Sequence, residues 1–171
     1  MTISFSSRYV VSTQSNGSIV FPPHRGGYCF ELNTLFAAAL KALGFKEVTY
    51  LLCRVRVNRE KDDHTPYTHL ALAVTIESTR YLCDVGFAGT QSIAPVLLDR
   101  NGEPQILPEG RFRTISQAGG YTILERERNG QWDALYKFRK DEPALPCDIE
   151  VIYGGVKRYR NMSNGDKQTE V

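Results

Sequence analysis

The chain is 171 residues long and carries 21 Lys and Arg against 19 Asp and Glu, a formal charge of +2. So small an excess, with both signs interspersed, argues against nucleic acid or a membrane as a partner, and no apolar run approaches the roughly 18 residues a spanning helix needs. The length fits about one domain with a modest core.

Residues 1–24 include Ser6-Ser7, Ser12 and Gln14-Ser15-Asn16-Gly17-Ser18, which are poor helix formers. They lack the basic region and apolar core of a secretory signal. The run Arg25-Gly26-Gly27-Tyr28-Cys29-Phe30-Glu31 then places a cysteine at the mouth of a helix, just after a glycine pair. From there Leu32, Leu35, Phe36, Ala39, Leu40 and Leu43 follow the i, i+3, i+4 rhythm of a one-sided amphipathic helix. Gly44 sits where a helix-terminating glycine belongs. Cys29 therefore falls in the first turn, where unpaired N–H groups and the helix dipole favour an anion. A thiolate forms more readily there than in free solution, which suits a nucleophile.

The remainder reads mainly as β structure. Residues 50–57 alternate, with Leu51, Cys53, Val55 and Val57 on one face and Arg54 and Arg56 on the other, a solvated pair with phosphate contact as the minority reading. Residues 58–66 form a charged loop. In the next strand, 68–76, Leu70, Leu72, Val74 and Ile76 share one face and His69 points to the other. Asp84 ends a further strand, 80–84, just before Val85-Gly86-Phe87-Ala88-Gly89. Asn101-Gly102 and Asn129-Gly130 signal turns, the second joining 121–127 to 131–138 as a hairpin. Beyond it lie Asp148-Ile149-Glu150-Val151-Ile152-Tyr153 and a polar tail. The predicted fold class is α+β: a catalytic helix packed on a small antiparallel β-barrel or curled sheet.

Two adjacent strands ending near one rim would stack Asp84 behind His69, and the helix would set Cys29 in front, giving the nucleophile, base and orienting acid of a Cys-His-Asp triad. Each residue alone has a plainer reading. A cysteine at a helix start is more often packing, His69 alone would satisfy a backbone carbonyl, and Asp84 alone would cap a turn at Gly86. His24, beside Pro22-Pro23, and His64, in the charged loop, are weaker candidates for the base. Cys53 and Cys83 read as core and Cys147 as loop. The four cysteines have neither a disulfide framework nor zinc-ligand spacing, so no metal is expected and the thiols read as reduced, in the cytoplasm.

The three segments R-G-G-Y-C-F-E-x-N, T-H-L-x-L-x-V and D-V-G-F, in that order, resemble the signature of the arylamine N-acetyltransferases, over about residues 25–138. The resemblance implies a cysteine-protease-like catalytic core in which Cys29 takes the acetyl group from acetyl-CoA, His69 is its proton partner and Asp84 fixes the histidine. It also implies Phe87 as the aromatic wall of the acceptor pocket, and Thr65 and Thr68 as substrate-contacting residues. Acetyl-CoA would be a co-substrate rather than a bound cofactor, and the acceptor a small aromatic amine or hydrazine, with ping-pong transfer. Family members carry further N-terminal helices and a third, lid domain. The expected organisation is therefore a remnant of the helical domain (1–46), an antiparallel barrel (47–155) and a polar tail (156–171), with the lid missing. Two alternatives stay open: a transglutaminase-like or protease-like cysteine hydrolase sharing the Cys-His-Asp order, and an inactive remnant serving as a binding module.

Overall fold

The structure, a computed structural model, describes the backbone of residues 2–4, 10–13, 19–20, 27–59, 63–87, 89 and 92–165, and the side chains of 27–59, 63–87, 89 and 92–155. His24, Arg25, Gly26, Ala88 and residues 60–62 of the charged loop lie outside the described residues. The N-terminal segment contributes strands β1 (Thr2–Ser4), β2 (Val10–Thr13) and β3 (Ile19–Val20), a small antiparallel sheet in that order. Helix α1 (Cys29–Ala42) follows. The main sheet is built from β4 (Glu47–Val55), β5 (Tyr67–Ile76), β6 (Thr79–Cys83), β7 (Val96–Leu97), β8 (Gln105–Leu107), β9 (Gly110–Gln117), β10 (Tyr121–Arg128) and β11 (Gln131–Phe138). Helix α2 (Pro146–Gly165) comes last. No helix among the described residues is long and apolar enough to cross a membrane.

The eight strands run in the order β7-β6-β5-β4-β11-β10-β9-β8, antiparallel throughout. The sheet curls until its two ends meet, and the seam is closed by a side chain: the Gln105 amide accepts from Leu97 N–H at 2.7 Å and donates to Leu97 C=O at 2.9 Å. An antiparallel near-barrel with a helix on its outside is the α+β architecture read from the sequence. The hairpin at Asn129-Gly130 is present, and both residues take positive φ (51° and 77°), the requirement of a two-residue turn that matches strand twist.

β5 is buried on both faces, which gives the molecule two apolar layers. Ala71 and Ala73 point into the barrel with Leu51, Cys53, Phe112, Leu124, Leu135 and Phe138. Leu70, Leu72 and Val74 point outward beneath the helices, against Phe30, Ala37, Val48 and Ile149. Ile76, expected on that outward face, is half exposed because the strand turns there through Glu77 and Ser78.

Three expectations need correction. The most buried face of α1 carries Cys29, Phe30, Asn33, Thr34 and Ala37, with Phe36 and Leu40 of the expected stripe packed beside it and Leu43 largely exposed; small and polar residues let the helix approach the sheet closely and bond to it. Arg56 is only 5% exposed, not part of a solvated pair. β5 carries a bulge opposite the Cys53/Arg54 step, where Cys53 pairs with His69 but Arg54 with Tyr67; Arg56, just past the end of β4, bonds through its N–H to Leu135 C=O at 2.8 Å and through its guanidinium to Asp63 C=O at 2.6 Å. Cys147, read as loop, lies in the first turn of α2 and is exposed.

Replacing Gln105 with Leu would strand the N–H and C=O of Leu97 at the seam. We expect a loss of about 1–3 kcal/mol in urea unfolding, with the β content seen by circular dichroism retained.

Candidate active site

Cys29 opens α1 and is 7% exposed. Its approach to the barrel depends on a residue with no side chain. A Cβ built on Gly86 would fall 2.7 Å from Cys29 Cα and 2.9 Å from Asn33 Nδ2, so only glycine lets the loop after β6 lie directly on the first turn of α1. The Cys29 thiol points at the C=O of Thr68, 3.7 Å away. At the other side of α1's start, Glu31 accepts the N–H of Tyr28 at 2.8 Å and the hydroxyl of Tyr153, from α2, at 2.7 Å. The rings of Tyr28, Phe30 and Tyr153 pack together there. The helix end bearing Cys29 is thus held from both sides.

His69 sits near the start of β5, 2% exposed, pointing into the barrel. Its Nε2 lies 2.7 Å from Asp84 Oδ2, and Cys29 is near enough to add to the shift of its pKa. The edge of the Phe87 ring (4.9 Å) and Tyr136 (5.0 Å) enclose the imidazole. Asp84 follows β6 immediately, and its carboxylate is fully engaged. Oδ2 also accepts from Tyr136 O–H at 3.0 Å, and Oδ1 accepts from Asn33 Nδ2 and Gly86 N–H, both at 2.9 Å. Asn33 additionally donates to Leu70 C=O at 2.7 Å and accepts from Val85 N–H at 3.1 Å, joining α1, β5 and the Asp84 loop.

These contacts set the charges. Burial alone would push the His69 pKa down, but the hydrogen bonds to Asp84 and Cys29 and their charges outweigh it and raise it to about 9. Burial works to raise the Asp84 pKa, and the His69 bond and charge, the Gly86 N–H and Asn33 together hold it below its ordinary value. Cys53 is fully buried and its thiol is pushed well up by burial, then by the charge of Asp84; Cys83, half-buried, is pushed up to about 11 for the same reasons.

Thus the structure joins His69 to Asp84 by a hydrogen bond and sets Cys29 beside them, its thiol against the carbonyl of Thr68, the residue before His69. Thr65 and Thr68 line an open cleft of about 700 Å³, together with Val55, Pro66, Tyr67 and, from α2, Ile152 and Gly155. Thr68 is the lining residue whose carbonyl accepts from the Cys29 thiol. Phe87 is elsewhere: it is 9% exposed, packed in the barrel against His69 and Tyr136, and not part of the cleft wall. His64 is exposed in its loop.

Sequence reading assigned no role to Asn33 or Tyr136, and gave Gly86 only as a turn that Asp84 would cap, a bond the structure shows. Asn33 had a signal, a polar residue four after Cys29 and so on the same helix face. Gly86 had one in its position two residues after Asp84. Tyr136 is one of several alternating residues in a hairpin strand, and nothing local marks it.

Because folding raises the His69 pKa from 6.5 to about 9, its contribution to stability is complete below pH 6.5 and fades as the pH climbs through 9. The lowered Asp84 pKa contributes above about 3.8, and that part is lost as the pH falls through the lower native value. In the Asp84→Asn variant the His69 ring resonances should titrate far below the wild-type value when followed by NMR. Gly86→Ala must displace Cys29 or Asn33. It should cost about 1–3 kcal/mol and slow iodoacetamide labelling of Cys29.

Comparison with known proteins places this site in context. The N-acetyltransferase family profile matches residues 12–146. An arylamine N-acetyltransferase / N-hydroxyarylamine O-acetyltransferase of Salmonella typhimurium is 40% identical over 114 residues, 67% of this chain and 39% of the relative. The arylamine N-acetyltransferase of Mycolicibacterium smegmatis is 38% identical over 130 residues, 74% of this chain and 46% of the relative. Among solved structures, the Salmonella typhimurium enzyme superposes with a TM-score of 0.69 at 36% identity, covering 75% of this chain and 45% of that one. The Mycobacterium marinum enzyme in complex with CoA gives 0.69 at 34% identity, covering 75% and 47%. The chain spans less than half the length of each of these relatives.

Proposed function

This chain belongs to the arylamine N-acetyltransferase family, and from that premise we propose that it carries an acetyl group from acetyl-CoA to an arylamine or hydrazine by way of Cys29. The observation that carries the proposal is the buried His69–Asp84 hydrogen bond at 2.7 Å with Cys29 beside it, the thiol lying against the carbonyl of Thr68, the residue before His69.

In the first half-reaction His69 holds the thiol proton and the Cys29 sulfur attacks the thioester carbonyl of acetyl-CoA. The bond from sulfur to the acetyl carbon forms, the bond from CoA sulfur to that carbon breaks, and the imidazolium returns its proton to the departing CoA thiolate. In the second, the acceptor nitrogen attacks the acetyl carbon, its proton passes to His69, and the Cys29 sulfur leaves. The Asp84 carboxylate stabilises the imidazolium in both halves and stays ionised. First-turn N–H groups of α1, which helix geometry leaves without intrahelical acceptors, are suitable donors to the oxyanion.

The cleft between the residue 65–68 segment and α2 is the route for donor and acceptor, with Thr65 and Thr68 as contacts. Phe87 acts here through the histidine it packs against. The four free cysteines fit a reducing compartment, the cytoplasm.

Incubation with acetyl-CoA should add one acetyl group to Cys29, found by peptide mass spectrometry, and a subsequent arylamine or hydrazine should remove it. Cys29→Ala should abolish both steps, Cys53→Ala neither. His69→Gln should lower the acetylation rate by at least 100-fold, the order of a general-base contribution. Acetylation at full speed in that variant would rule His69 out as the proton partner.

A further inference from the structure

Arg54, read in the sequence as part of a solvated pair with phosphate contact as the minority reading, lies at the centre of a cluster unconnected with the triad. Its guanidinium stacks 3.8 Å over the Tyr67 ring and donates to Thr65 C=O. Tyr67 meets Tyr121 hydroxyl to hydroxyl at 3.5 Å. Lys137 and Arg139 each stand 4.9 Å from the centre of the Tyr121 ring. Register explains the assembly: Arg54 pairs with Tyr67 on one side and Lys137 on the other, while Thr122 pairs with Phe138, which puts Tyr121 beside Arg139. All project from the outer face of β5-β4-β11-β10.

Three cations thus surround two phenols with little to neutralise them. Among the described residues the acidic partner in the cluster is Glu142, which pairs with Arg139 at 3.0 Å. The Tyr121 hydroxyl responds to this field: its bond with Tyr67 and the nearby Arg54 and Arg139 lower its pKa to about 8. A surface that eases ionisation of a phenol attracts anions generally, and guanidinium, ammonium and phenol groups are apt donors to phosphate oxygens.

The place is informative as well. Tyr67 belongs both to the cluster and to the wall of the cleft, which Thr68 also lines, and the Thr68 carbonyl is 3.7 Å from the Cys29 sulfur. From β5 to β10 is three strand spacings, about 14 Å. An extended pantetheine arm, comparable to about four residues of extended chain, covers about the same distance.

We propose that Arg54, Lys137, Arg139, Tyr67 and Tyr121 form a platform for the phosphate groups of the CoA donor, with the pantetheine arm running along the cleft to Cys29. This rests on the acetyl-transfer reading for the identity of the donor, and its test is made by binding so that the two can fail separately. Calorimetric titration of the full chain with CoA and with pantetheine should show CoA binding more tightly. Inorganic phosphate should weaken CoA and leave pantetheine unaffected. The variant Lys137→Met/Arg139→Gln, which keeps the side-chain stems, should lose about tenfold in CoA affinity with pantetheine binding retained and the thermal midpoint unchanged. If that double variant unfolds, Lys137→Met alone carries the test, with a smaller loss expected. The proposal is overturned if CoA and pantetheine bind the wild type equally, if the variants bind CoA as the wild type does, or if ATP binds as tightly as CoA. A wild type that binds CoA with this pattern but never becomes acetylated at Cys29 would refute the transfer reading and leave the platform standing.

Discussion

The carboxylate of Asp84 is the point on which this molecule turns. A buried anion is costly unless its lone pairs are all engaged, and here four donors meet it from different parts of the chain: Asn33 on α1, His69 on β5, Tyr136 on β11 and the Gly86 N–H of its own loop. The contacts that make its burial tolerable also bring the helix, the barrel and the loop to one register. Stability and the geometry of the site therefore share the same bonds, and removing any one donor disturbs both.

The two-sided burial of β5 gives this arrangement its setting. Leu70, Leu72 and Val74 face the helices, Ala71 and Ala73 face the barrel, and His69 enters the barrel at the strand's beginning. The imidazole is thus walled by Phe87 and Tyr136, away from water, while Cys29 reaches it from the outer layer. A sulfur from one layer and an imidazole from the other can meet only where α1 begins and β5 begins, and Gly86 keeps that corner narrow enough. On the far side, the Tyr153–Glu31 bond ties α2 to the same helix end, so the cleft wall and the thiol are anchored together.

The outer face of the sheet is divided between two physical characters. Its β5-β4 part is apolar and covered by helices, and past the bulge at the Cys53/Arg54 step it becomes cationic and aromatic. The cleft lies at that border. An elongated molecule with an apolar arm and a phosphorylated head matches such a surface better than a small neutral one does.

The amino-acid sequence alone determined what depends on near neighbours. A helix begins at Cys29, strands alternate, and Asn129-Gly130 turns a hairpin, because capping, periodicity and turn conformation act over a few residues. The order of cysteine, histidine and aspartate was legible too, together with the α+β class and the family likeness. Tertiary structure alone decided what depends on register and on elements far apart in the chain. Bonds to the carbonyls of Asp63 and Leu135, remote in sequence or on another strand, hold Arg56 buried where simple alternation exposed it. The close approach of α1 made Asn33 and Ala37, rather than the leucine stripe, part of its most buried face. Tyr136, more than fifty residues from Asp84, became its hydrogen-bond donor only once β11 had found β4. Such choices come from three-dimensional packing and the need to satisfy a buried charge, and no local pattern encodes them.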